Sequence, residues 1–184
     1  MILSDRDIRE YIKRGHIEIS GDKLYIGPAS VDLHLGSKTK ILVNKSDVII
    51  DSKEDNSSMF EDFDFSEKGY IKIYPKEFYV MSTEERIKLD KNVAGFLQGR
   101  SSLARLGIQV HCAGFFDPGF EGSAVLEVTN LTQSIIKLYP GMRICQMIFI
   151  PTLNSSEIGY GEKIDQKYNN QSGPTLSKLY LDEE

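Results

Sequence analysis

The chain has 184 residues, 40% of them hydrophobic, and a formal net charge of −5. That length suits one domain with a core large enough to do without cross-links. The acidic balance and the lack of any Lys/Arg run argue against a nucleic-acid polymer as partner, which needs a continuous basic surface, but leave room for a small anion met by two or three local cations.

In chain order, Ser4–Arg14 reads as the one good helix. Ser4 is placed to cap it, Asp5 and Asp7 lie in its first turn where the helix dipole favours anions, and Gly15 stops it. Ile8, Tyr11 and Ile12 share one face. After it come short runs rich in Ile, Val, Phe and Tyr: residues 30–35, 40–43, 70–73, 78–81, 93–98, 124–129, 135–138 and 143–150. Pro28, Gly36, Pro75, Asp117-Pro118-Gly119 and Pro140-Gly141 punctuate them. Many short strands with frequent turns predict a closed or sandwiched, mainly β fold. Residues 51–68 carry seven acids against two lysines and read as a solvated acidic insertion. From residue 154 the chain is polar and reads as a mobile tail or lid, with Tyr160, Lys167, Tyr168 and Gln171 as candidate ligand contacts.

Cys112 and Cys145 are the only cysteines. Two are too few for a disulfide framework or a four-ligand zinc site, so both are expected as reduced core thiols of a cytoplasmic protein. The opening residues lack the apolar core of a signal peptide, and no apolar run reaches the roughly 18 residues of a bilayer span.

The chemistry-bearing residues concentrate between Gly99 and Gln146. Gly99-Arg100-Ser101-Ser102 follows an apolar strand and opens a helical turn, 103–106, closed by Gly107. A helix start offers unpaired N–H groups to an anion, and Arg100 adds a planar fork for phosphate oxygens. The plain alternative makes Ser101 or Ser102 a simple N-cap. In Ala124–Thr129, alternation puts Val125, Glu127 and Thr129 on one face. Facing outward, Glu127 is a solvated strand residue. Facing inward, it is a desolvated general base with Arg105 as a natural partner. Asp117 begins an ordinary turn, or aims a carboxylate at a sugar hydroxyl or a water. Gln146 lies in an apolar strand and needs a hydrogen-bond partner. His111 and Cys112 are adjacent, so on a strand they point to opposite faces and make no ready pair. The zinc deaminase pattern, the Walker loop and the dinucleotide glycine fingerprint are all absent.

The order of these motifs is more specific than any one of them. Gly-Arg-Ser-Ser-Leu-Ala-Arg-Leu-Gly at 99–107, Ala-Gly-Phe-Phe-Asp-Pro-Gly-Phe at 113–120 and Val-Leu-Glu at 125–127 resemble dCTP deaminases of the trimeric dUTPase superfamily. Gly-Met-Arg-Ile-Cys-Gln at 141–146, the strand motif at 28–36 and the 167–173 segment are similar to further motifs of that family, as is the opening Met-Ile-Leu-Ser-Asp.

The resemblance implies a distorted jelly-roll or β-barrel domain over 1–184, with the helix at 1–15 and a lid at 154–184. It implies a homotrimer with sites between subunits, and dCTP or dUTP as the small-molecule substrate. Glu127 matches the general base that activates water for attack at cytosine C4. Ser101 and Arg105 match the residues that orient this water and stabilise departing ammonia. Asp117 matches the acid that contacts the sugar 3′-hydroxyl and activates the diphosphatase water. Arg100, Ser102, Gln146, Lys167 and Gln171 match triphosphate contacts, and Ala113, Gly114, Phe120 and Tyr160 complete the nucleotide-binding set. Mg2+ would arrive on the triphosphate; no zinc and no protein metal site is expected. Gly114, where deaminase-only members carry His, and a segment 110–113 one residue shorter resemble the bifunctional members. The implied reaction takes dCTP to dUMP, pyrophosphate and ammonia. Competing readings are a deaminase that releases dUTP, a plain dUTPase, and a non-catalytic nucleotide-binding jelly-roll module.

Overall fold

The computed structural model describes residues 1–21, 23–43, 48–111 and 113–182. In chain order the elements are α1 (Asp5–Lys13), β1 (Ile17–Ile19), β2 (Tyr25–Ile26), β3 (Val31–Leu42), β4 (Phe60–Asp64), β5 (Ile71–Ile73), β6 (Phe78–Leu89), β7 (Val93–Gly99), α2 (Ser101–Ala104), β8 (Ile108–His111), β9 (Phe115–Phe116), β10 (Glu121–Asn130), β11 (Ile136–Leu138) and β12 (Arg143–Pro151). Single 3-10 turns lie at Ser57–Met59, Tyr160–Glu162 and Leu179–Leu181. The chain is mainly β, as its turn-punctuated apolar runs predict.

Helix α1 forms where its signals put it. Ser4 Oγ accepts from Asp7 N–H, and the Asp7 carboxylate returns a bond to the Ser4 backbone, closing a capping box. Ile8 is fully buried, with Tyr11 and Ile12 packed against the core.

Ten strands form one sheet whose main path runs β8-β10-β6-β3-β12-β7-β9, while β5 and β11 pair separately. The path curls back on itself. Strands β7 and β8, near its opposite ends, come together: Val110 of β8 lies 3.5 Å from where a Cβ on Gly99 of β7 would stand. Inside the curl, Val31, Leu33 and Leu35 of β3 meet Met81 and Ile87 of β6, Leu126 and Val128 of β10, and Met147 and Phe149 of β12 in one buried cluster. Cys145 is buried among them; Cys112 lies outside the described residues.

Four sequence expectations change. The runs 30–35 and 40–43 are one strand, β3, because its pairing with β6 shifts register between Leu35 and Thr39 and carries the chain past Gly36 without a break. The run 78–81 continues through a polar stretch to Leu89. The acidic 51–68 segment is not merely solvated. It contributes β4, paired to β3 from Lys38↔Asp64 to Leu42↔Phe60, and the fully buried Phe65. The region after residue 154 is docked: Asn170 N–H donates to Glu121 O at 2.6 Å, and a bridge joins Gln171 to Gly122. Among the described residues no helix is long and apolar enough to cross a membrane.

Candidate active site

Strand β10 builds the floor. Ala124, Leu126 and Val128 point into the core, so Val125, Glu127 and Thr129 stand on the opposite face. Strand β6 pairs Val80 with Glu127 and Phe78 with Thr129, which puts apolar side chains beside the carboxylate. On this face lies a cavity of about 570 Å³. One wall is the turn beginning at Asp117 with Phe120 and Tyr160; a second is Ile50–Phe60; a third is Thr175–Tyr180.

Glu127 therefore fits neither sequence alternative. It points away from the core, yet the walls cover it and leave it half-buried. Burial pushes its carboxyl above the usual glutamate value, outweighing a bond to its own backbone. A carboxyl so placed, on a strand paired along both edges, can take a proton and return it. Arg105, its natural partner by chemistry, does not line the cavity that Glu127 faces.

Asp117 is held by its turn. Phe120 N–H donates to Asp117 O at 3.1 Å, and Tyr160 N–H to Pro118 O at 2.8 Å. Gly119, at φ 84°, lets the two segments touch: a Cβ there would lie 2.7 Å from Gly159 Cα. Phe120 is buried between Phe116, edge-on at 4.8 Å, and Tyr160 at 5.9 Å. Ala113, Tyr168 and Gln171 also line the cavity. Gly114 does not line it; its carbonyl accepts from Leu97 N–H at 2.8 Å. His111 is Glu127's partner across the β8–β10 ladder, and its Nε2 lies 3.2 Å from Thr129 Oγ1.

The remaining predicted residues lie elsewhere. Arg100 is the N-cap residue of α2, so neither Ser101 nor Ser102 caps that helix. Both serines and Arg105 are exposed. Gln146 finds the partner it needs in Ser30, whose hydroxyl donates to its Oε1 at 3.2 Å. Lys167 is paired with Asp182, a hydrogen bond that raises its pKa, and lies outside the cavity. The cavity is lined by the carboxylates of Glu54, Asp117 and Glu127 and, among the described residues, by no Lys or Arg.

Sequence reasoning missed Asp32. Its carboxylate sits 3.0 Å from Arg143 Nη1 and 3.7 Å from Arg100 Nη2, and the Arg143 guanidinium lies over the Tyr25 ring at 5.0 Å. The signal available was an acid between Val31 and Leu33 in a strand whose neighbours are apolar. The wall at 50–60 was missed as well, since its composition reads as solvent-facing.

Comparison with known proteins bears on the family and the fold. A family model described as dCTP deaminase-like matches residues 2–152. A protein from Dictyoglomus thermophilum named dCTP deaminase, dUMP-forming, is 40% identical over 99% of this chain and 96% of its own length. One of the same name from Sulfurihydrogenibium is 42% identical over 99% of both. The solved dCTP deaminase of Agrobacterium tumefaciens superposes with a TM-score of 0.63 at 22% identity, over 80% of this chain, which spans 47% of that one. Native EIAV dUTPase superposes at 0.50 with 20% identity, covering 77% of this chain and 92% of that one. The fold is dUTPase-like, and the chain belongs to the dCTP deaminase-like family.

Proposed function

We propose that this chain hydrolyses dCTP to dUMP, pyrophosphate and ammonia. The observation that carries the reading is Glu127: a half-buried carboxyl with a raised pKa, fixed on a central strand and facing a cavity sized for a nucleoside. The relatives at about 40% identity bear the dUMP-forming name.

Glu127 takes a proton from water as its oxygen bonds to cytosine C4, and delivers that proton to N3. Glu127 then takes the proton of the new C4 hydroxyl and passes it to the exocyclic amine as the C4–N bond breaks, so that ammonia leaves a uracil base with its N3 proton in place. One carboxyl serves both transfers because burial holds its pKa above the usual glutamate value, so that it keeps a proton more readily than a solvated carboxylate. Ser101 and Arg105 orient the water and stabilise the departing ammonia. Asp117 binds the sugar 3′-hydroxyl and takes the proton of a second water, which attacks the α-phosphate and expels pyrophosphate. This second activity is a dUTP diphosphatase within the same site.

A cavity lined with three carboxylates and, among the described residues, no Lys or Arg repels a triphosphate. The cations it needs, Arg100 and Arg105, are on α2 and its flanks with Ser101 and Ser102. A neighbouring copy that supplied these residues would complete the site, and that need supports a homotrimer with each site shared between subunits. Gln146, Lys167 and Gln171 would complete the phosphate contacts, Lys167 by leaving Asp182. Mg2+ would be carried on the triphosphate oxygens, which are hard donors of the kind that ion takes. When bound, the ion screens the phosphate charge.

Glu127→Gln tests the assignment. It is expected to bind dCTP within about threefold of wild type and to lose deamination by at least about 10³-fold. Retained turnover sinks the role of Glu127.

A further inference from the structure

The acidic segment, which the reaction above leaves unused, forms a wall of the cavity. Alternate residues Ile50, Ser52, Glu54 and Asn56 face the space that Glu127 faces, joined by Ser57 and Phe60, while Asp51, Lys53 and Asp55 do not line it. Asn56 ties this stretch to itself. Its Nδ2 donates to Asp51 O at 2.6 Å and to Glu54 O at 2.7 Å, and its Oδ1 accepts from Asp51 N–H at 3.2 Å. Val43 N–H donates to Met59 O at 2.8 Å and fixes the base of the wall to the end of β3. A loop that only carried solvated charge would need neither a closed set of bonds nor alternate residues turned to the cavity.

We propose that Asn56 is a positioning residue for deamination: it braces residues 50–57 into the wall that keeps bulk water from Glu127. The inference rests on the assignment of Glu127 as the base. Loosening the wall hydrates the carboxyl, makes it more acidic, and leaves it a weaker base against the one water that must attack. The titratable groups around Glu127 are His111 on β8, Asp117 on its turn, Glu54 on the wall itself, and Tyr160, Tyr168 and Tyr180 on the C-terminal segment; β6 presents only Phe78 and Val80. Asn56→Ala changes none of these groups. Because it moves Glu54, Glu54→Gln serves as the control for that one charge.

The experiment compares wild type, Asn56→Ala, Phe60→Ala, Glu54→Gln and Glu127→Gln as full-length protein. It reads kcat and KM for ammonia release from dCTP across pH, and the Glu127 carboxyl pKa by NMR of 13C-labelled glutamate, assigned by its loss in Glu127→Gln. Expected for Asn56→Ala is a kcat at least about tenfold lower, a KM within about threefold, and an acid limb and carboxyl pKa displaced to lower pH. Phe60→Ala should do the same, which covers the case in which Asn56→Ala does not fold. Glu54→Gln should move the limb less than either. An unmoved limb and unmoved carboxyl in both wall variants, whatever their melting temperatures, overturn the proposal, as does a Glu54→Gln shift as large as theirs. If wild type releases no ammonia, the deamination reading fails by itself, and the NMR pKa still decides whether the wall controls hydration of Glu127.

Discussion

Gln171 and Ser123 hold each other twice. Ser123 N–H donates to Gln171 O at 3.0 Å, and Gln171 Nε2 donates to Ser123 O at 2.9 Å. The pair fastens the C-terminal segment along the edge of β10, four residues from Glu127. Gln171 Oε1, buried and with no hydrogen-bond partner among the described residues, is left over at a cavity wall.

The first prediction concerns that fastening. Gly122 has φ 152°, and a Cβ there would meet Gln171 backbone at 3.1 Å. Gly122→Ala is therefore expected to lift the segment from β10 and speed proteolytic cleavage after residue 154 by about tenfold or more. Gln171→Ala should do so more weakly, since it keeps the backbone bond. Cleavage at the wild-type rate in both would mean that the segment is held elsewhere.

Glu127 should make stability depend on pH. Below its ordinary value of 4.5 the carboxyl is protonated in both states. As pH rises past that value the unfolded chain ionises first, while burial keeps the native carboxyl neutral. The native state thus binds the extra proton and loses stability with rising pH until its own, raised pKa is passed. Glu127→Gln removes that loss. It should melt about 1–4 °C above wild type at pH 8, with the difference closing below pH 4.5. A variant that melts lower than wild type at pH 8 contradicts the desolvated environment.

Asp117→Asn keeps the turn, because the bonds that fix it use the Asp117 and Pro118 carbonyls rather than the side chain. Dichroism and melting temperature should change little. Formation of dUMP from dUTP should fall by at least about 10³-fold, the scale of losing a general base, with a smaller loss in ammonia release. Full dUMP formation would remove Asp117 from the diphosphatase step.

Asp32 neutralises two arginines at once, and its side chain is only 17% exposed. Asp32→Ala leaves Arg100 and Arg143 facing each other without a counter-charge. Urea denaturation should show a loss of about 1–2 kcal/mol, limited by the solvent access of Arg143. A loss below about 0.5 kcal/mol would mark the cluster as solvent-screened.

What was legible in the sequence was what local chemistry determines. Ser4, Asp7 and Ile8 state the helix start in five residues, and Leu126 between Val125 and Glu127 states a two-faced strand. Strand β6 was cut short because its inward positions beyond Met81 include Thr83 and Glu85. These polar residues are acceptable inside only because partners arrive from elsewhere: His34 N–H donates to Glu85 Oε2 at 2.9 Å, and Ala124 N–H to Thr83 Oγ1 at 3.0 Å. Phe65 was hidden by the acids around it. The candidate site was legible as residue types in order, but not as a place. Glu127 became a cavity residue through register with β6 and through cover supplied by residues 50–60 and 175–180, contacts between segments far apart in sequence. Arg105 was paired with Glu127 by chemical suitability, yet its side chain is exposed and does not line the cavity that Glu127 faces.

The most direct test is chromatography of the products from dCTP with Mg2+, with ammonia assayed in the same samples and dUTP run in parallel. The account predicts dUMP, pyrophosphate and ammonia from dCTP in equal amounts, without accumulation of dUTP. Accumulating dUTP would leave the deaminase and remove the diphosphatase. Turnover of dUTP with no ammonia from dCTP, or no turnover of either nucleotide, would contradict the central claim that Glu127 is the base of a deaminase.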